Sequence, residues 1–204
     1  MTAKRQGLQT VIFDQSPRII GSATIAGPKE GDGNLGSYID KLVPDPLMNG
    51  LTPEKAERKL LYQACQDALV KANLRENDIH LFIGGDLLNQ IVSSSFCARD
   101  LGIPFLGIYG ACSSIVEGLG LGALMVDGQY ADTTLVATSS HYHASERQFR
   151  NPIELNIQHK STNQWTVTGA AAAVIGNHGQ GPKITRATFG RVIDYGIKSP
   201  NDMG

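Results

Sequence analysis

An α/β fold with a mixed, mainly parallel sheet covered by helices on both faces is predicted by three features of the sequence. Short apolar runs alternate with helix-period segments up to about residue 140. One of those segments, ACSSIVEGLGLGALMVDG, is apolar on almost every side, as a helix buried all round would be. Two strand-like runs with no helix between them, VTGAAAAVIGN and KITRATFGRVI, then close the chain and suggest an antiparallel addition to the sheet.

In chain order, residues 18–26 (RIIGSATIA) read as a buried strand, and the glycines of GPKEGDGNLG mark a loop. That loop lacks the Lys-Ser/Thr ending and the strand-to-helix setting of a phosphate-binding loop. A helix starts at Thr52, with Thr as N-cap and Pro53 in the first turn. Ala56, Leu60, Ala64, Ala68 and Ala72 recur every four residues, with Leu61, Cys65 and Leu69 beside them. Glu57, Arg58, Lys59, Asp67 and Lys71 are expected to face away. A strand over 79–84, a helix from about Ser94 to Leu101 carrying Cys97, and a strand opened by Pro104 follow. The apolar helix is weakened by Gly118, Gly120 and Gly122, roughly 1 kcal/mol each relative to Ala, which points to close approach of another backbone. TTLVATSSH is the next strand.

The chain has 204 residues, enough for one domain with its own core, and 41% of them are hydrophobic and 18% charged. A net charge of -1 provides no basic footprint for nucleic acid. The three cysteines, Cys65, Cys97 and Cys112, match no zinc spacing, and free thiols suit a reducing compartment. No apolar stretch is long enough to span a bilayer.

Cys112 is the first candidate for chemistry. Gly110 and Ala111 before it, and Ser113 and Ser114 after it, allow a sharp strand-to-helix elbow. A helix N-terminus there favours a thiolate, and its N–H groups would also hold an oxyanion or a carboxylate. A buried structural thiol is the competing reading. Asp86 follows Gly84 and Gly85 at the C-terminal end of a strand, where ligand crevices of open α/β sheets lie, and would otherwise serve as an N-cap or loop-ordering carboxylate. Ser139, Ser140 and His141 end a third strand and would reach the same crevice. His141 and His143 share strand spacing, but no third ligand is suitably spaced, so neither a metal nor a cofactor is expected. Arg147 and Arg150, three apart, would share a helix face and hold an anion, or form a salt-bridge site.

The elbow GACSS, the loop GGDLLNQ, the run ATSSHYHASERQFRNP and the early segment AGPKEGDGNLGS together resemble the stage V sporulation protein AD family, thiolase-like proteins of endospore-forming bacteria. The resemblance implies a thiolase-like fold over residues 1–204, one N-terminal half of the duplicated αβαβα architecture, with the second half expected to be absent from this chain. It implies a sporulation protein that binds dipicolinic acid, as its calcium chelate, for uptake into the developing spore, without catalysis. The expected partners are membrane proteins of the same operon, and a second copy or a missing second half. The expected location is cytoplasmic, peripheral to the forespore or spore inner membrane. Cys112 matches the thiolase-type nucleophile position, Ser113 is its neighbour in the elbow, and the expected ligand wall comprises Asp86, Cys112, Ser113, Ser140, His141 and Arg147. The family fold takes its catalytic His, or His and Asn, from the second half, so Cys112 reads as pocket wall. A thiolase or ketoacyl-synthase-like acyltransferase using Cys112, and a truncated inactive fragment, are the alternatives.

Overall fold

The computed structural model describes residues 4–149 and 166–198. Strands β1 (Arg5–Gln6), β2 (Thr10–Ile12) and β3 (Arg18–Ala26) open the chain. A one-turn helix α1 (Pro28–Gly31) and strand β4 (Lys41–Leu42) lead to helix α2 (Pro53–Ala72). Then come β5 (Leu81–Asp86), α3 (Val92–Leu101), β6 (Phe105–Gly107), α4 (Ser114–Asp127), β7 (Thr133–Ser140), α5 (Tyr142–Phe149), β8 (Gly169–Gly176) and β9 (Arg186–Thr188).

The main sheet has the order β4-β3-β8-β7-β5-β6. Its pairings are parallel except for those of β8, which runs antiparallel to both β3 and β7. The closing antiparallel strand thus enters the middle of the sheet. Its composition permits this: Ala170, Ala172 and Val174 face one core and Ile175 the other, and alanines suit a strand covered on both faces. The run 183–193 meets the main sheet at an isolated antiparallel bridge between Lys183 and Arg18 of β3 and does not continue along it. Only Arg186–Thr188 is a strand, and it pairs with β2 in a separate three-stranded sheet.

α2 begins and ends as its sequence specifies. The Thr52 hydroxyl accepts from the Lys55 N–H at 3.4 Å, and Asn73 stops the helix in the left-handed conformation at φ 56°. Gly21 of β3 lets it lie close, because a Cβ there would stand 2.6 Å from the Ala68 carbonyl oxygen. α2 and α3 pack on one face of the sheet, around Leu60, Leu61, Cys65, Phe82, Cys97 and Leu135. α4 covers the other face, against Ile83, Val136 and Ile175. α2 is covered on two sides, by the sheet and by α3, and this corrects one expectation. Glu57 does not face outward; it is fully buried.

α4 is covered only in part. Gly118, Gly122, Ala123 and Val126 are buried on its sheet side, while Val116 is 69% exposed and Ile115, Leu119 and Leu121 are half-buried. A Cβ at Gly118 would lie 2.5 Å from Val136 Cγ1, and one at Gly122 2.8 Å from Ile175 Cδ1. The close approach is therefore to side chains of the sheet, at two of the three glycines. At Gly120 the nearest atom, in Phe189, is 3.5 Å away. Beside α4, a 500 Å³ groove over β3 and β8 is lined by Ile115, Leu119, Ala171 and Ala173 among others. Among the described residues, no helix is long and apolar enough to cross a membrane.

Candidate functional site

The Cys112 turn is fixed from both sides. After β6 the chain makes a single helical turn over Ala111–Ser113 and enters α4 at Ser114. The Ser113 hydroxyl donates to the Gly110 carbonyl at 2.7 Å, and the Gly110 N–H donates to the buried Ser114 hydroxyl at 3.1 Å. A Cβ at Gly110 would stand 2.5 Å from both Glu117 Oε2 and Ser113 Oγ, so a larger residue there would displace those side chains and the Ser113 bond. Ala111 takes φ 49°, a left-handed conformation that costs a non-glycine residue about 1 kcal/mol or more. This strained, tightly bonded elbow presents Cys112 and Ser113 exposed at the head of α4, where the helix carries partial positive charge.

Asp86 lies on the other side of the sheet. It alternates with Phe82 along β5 and so points toward α2 and α3. Oδ1 accepts from the Leu88 N–H at 2.9 Å and Oδ2 from the Ser94 N–H at 2.7 Å. This is a loop-ordering carboxylate that holds residues 87–91 and the start of α3. Burial raises its pKa above the ordinary carboxylate value, and the bonds from Ser94 and Leu88 oppose that rise.

The residue that sequence reasoning missed is Glu57. Its Oε1 accepts from the Ser139 hydroxyl at 3.0 Å, and its Oε2 has no partner. Ser93 is buried close by and favours the carboxylate, without hydrogen-bonding geometry. Burial first, and the neighbouring Asp86 charge second, push the Glu57 pKa up to about 8. Its position was the available signal: Glu57 precedes Leu61 by four residues and Leu60 by three, which places it on the apolar stripe.

Ser140 and His141 fasten the end of β7. The Ser140 hydroxyl donates to the Val167 carbonyl at 2.6 Å. His141 is buried; its Nε2–H donates to the Pro46 carbonyl at 3.1 Å, and its Nδ1 accepts from the His143 N–H at 3.3 Å. That pattern fixes the neutral tautomer, and burial holds its pKa below the ordinary histidine value. The His141 and His143 rings stand 5.8 Å apart, and no cluster of three or more metal-ligating side chains occurs among the described residues.

Arg147 pairs with Glu54 and lines a groove of 360 Å³ with Leu88, Asn89, Val92, Ala144 and Gln148. Arg150 lies outside the described residues. The expected ligand wall is thus divided. Cys112 and Ser113 stand at the head of α4 on one face of the sheet. Asp86 faces α2 and α3 on the other, and Arg147 borders that side through Leu88 and Val92.

The fold has known counterparts. A structure of Xanthomonas campestris OleA H285N superposes with a TM-score of 0.56 over 81% of this chain and 57% of its own, at 18% identity. The priming β-ketosynthase of the R1128 polyketide pathway gives a TM-score of 0.53 over 86% of this chain and 54% of its own, at 16% identity. These thiolase-like condensing enzymes establish the fold. In sequence, the stage V sporulation protein AD of Bacillus subtilis (strain 168) is 45% identical over 201 residues, covering 98% of this chain and 60% of that protein. The chain therefore spans about three-fifths of its relative's length. The sequence pattern described as stage V sporulation protein AD matches residues 7–204. The chain belongs to the stage V sporulation protein AD family.

Proposed function

We propose that this chain is part of a sporulation protein that binds dipicolinic acid, as its calcium chelate, for uptake into the developing spore, and that it does so without catalysis. Family membership carries this reading. The Cys112 turn supports it physically. Dipicolinate is a flat dianion, and an exposed elbow at a helix N-terminus provides partial positive charge and small side chains for a carboxylate. Cys112 and Ser113 form the ligand wall in this reading. Asp86 and His141 act at a distance, by holding the loops at the ends of β5 and β7. Arg147, paired with Glu54, is not part of that wall. In this reading the protein is cytoplasmic and peripheral to the forespore or spore inner membrane, beside membrane proteins of its operon.

A second reading, acyl transfer through Cys112, is favoured by the strained elbow and the exposed thiol on a condensing-enzyme fold. It requires a base near the thiol. Among the described residues, the side-chain hydrogen bonds of His80, His141 and His178 go to Thr133, Pro46 and Asn177, and the His143 ring lies beside those of His141 and Tyr142.

Calorimetric titration with dipicolinate and calcium, run beside an acyl-CoA turnover assay, separates the two. Saturable binding with no thiol release from acyl-CoA is the expected result. Turnover that disappears in Cys112→Ala, with no dipicolinate heat, would overturn the proposal.

A further inference from the structure

Glu57 is a buried acid that the proposed ligand wall does not use. The groups facing it come from four elements. β7 supplies the Ser139 hydroxyl at 3.0 Å, and β5 supplies Asp86. α3 supplies Ser93, and α2 itself supplies Glu54, one turn back. Glu54 is paired with Arg147 of α5, and the adjacent Arg58 turns to Asp100 at 2.9 Å. The charges acting most strongly on Glu57, Asp86 and Glu54, are both negative. Its Oε2 is buried without a partner.

Asp86 is the other half of the arrangement. Its two oxygens grip the N–H groups of Leu88 and Ser94, at the two ends of a short segment. Between them Gln90 and Ile91 take φ 62° and 47°. A left-handed β-branched residue is strained and persists only where its surroundings hold it. The same segment contributes Leu88, Asn89 and Val92 to the groove bordered by Glu54, Ala144, Arg147 and Gln148. A carboxylate buried beside a second acid does not ionise without large cost, so Glu57 holds its proton while Asp86 accepts from the two amides.

We infer that the proton carried by buried Glu57, beside Asp86, works a latch on residues 87–94. With Glu57 protonated, Asp86 clamps the strained segment against α3. When the proton leaves to solvent, two buried negative charges face each other without a cation between them. The segment then gives way, because its backbone strain is no longer held, and the groove beside Arg147 opens. The latch responds to alkalinisation and is independent of any ligand at the Cys112 turn.

Amide hydrogen exchange on the full chain tests this, read as protection factors corrected for intrinsic rates between about pH 6 and pH 9. Protection of the Leu88 and Ser94 amides is expected to fall at least about tenfold across a step near pH 8, while Val174 in β8 keeps its protection. In Glu57→Gln, which carries the neutral form at every pH, both amides are expected to hold their acid-side protection throughout. A flat wild-type profile, an unchanged step in Glu57→Gln, or an equal loss at Val174 would overturn the latch. If Glu57→Gln does not fold, carboxyl carbon NMR of the labelled wild-type chain decides. A Glu57 resonance titrating above about pH 7 supports the latch, and one titrating near its ordinary 4.5 refutes it.

Discussion

The Ser139 hydroxyl donates to Glu57 Oε1 at 3.0 Å, joining α2 to the end of β7 across 82 residues of sequence. Ser139 is also the register partner of Asp86 on β5. One hydroxyl thus neighbours both buried acids. Ser139→Ala should destabilise the fold by about 1–3 kcal/mol, because it leaves a second Glu57 oxygen unsatisfied. Glu57→Gln retains an acceptor for Ser139 and should cost less. Denaturant melts of the two variants at neutral pH check the order.

Stability should depend on pH through the same residue. Glu57 has a folded pKa of about 8 against an ordinary 4.5. Between these values the folded chain holds a proton that the unfolded chain has lost. The stabilisation is complete below about pH 4.5 and is lost as pH rises through 8, amounting to a few kcal/mol. Thermal melts at successive pH values should therefore show a wild-type decline toward alkaline pH that is flatter in Glu57→Gln. Parallel curves for the two proteins would contradict this assignment.

His141 acts in the opposite sense. Its pKa is lowered, first by burial, so the folded chain keeps it neutral while the unfolded chain protonates it below about 6.5. That stabilisation is present above pH 6.5 and is lost as pH falls below it. His141→Gln, which retains an N–H for the Pro46 carbonyl, should remove this acid-side loss. The difference between variant and wild-type melting curves below pH 6.5 is the measurement.

The glycines of α4 separate close approach from mere permissiveness. Gly118→Ala should destabilise by about 1–3 kcal/mol, because its Cβ would stand 2.5 Å from Val136 Cγ1. Gly120→Ala meets nothing nearer than 3.5 Å and should stabilise by up to about 1 kcal/mol through helix propensity. Equal effects at the two positions would show that α4 sits farther from β7 than described.

The sequence made some of this arrangement legible. Thr52, Pro53 and the four-residue alanine spacing specify α2 locally, and the paired turns around Gly110 and Ser114 specify the elbow. The pairing of β8 was not legible. Residues 169–176 encode a buried strand, but insertion between β3 and β7 depends on partners distant in sequence. Glu57 was missed because a charged residue was assigned to the polar face, although its spacing to Leu61 placed it on the apolar one. The expectation that Asp86 and Arg147 share a crevice with Cys112 treated strand ends as one site. Side-chain alternation along β5 instead turns Asp86 toward α2 and α3, on the face opposite α4.

The central claim is that Cys112 is a wall of a dipicolinate site and not a nucleophile. Dipicolinate titration of Cys112→Ala and Cys112→Trp tests it most directly. The account predicts that Cys112→Ala binds within about threefold of wild type and that Cys112→Trp, by filling the space at the elbow, loses at least about a hundredfold in affinity, some 2.7 kcal/mol. Equal binding by all three proteins, or loss of binding in Cys112→Ala, would contradict it.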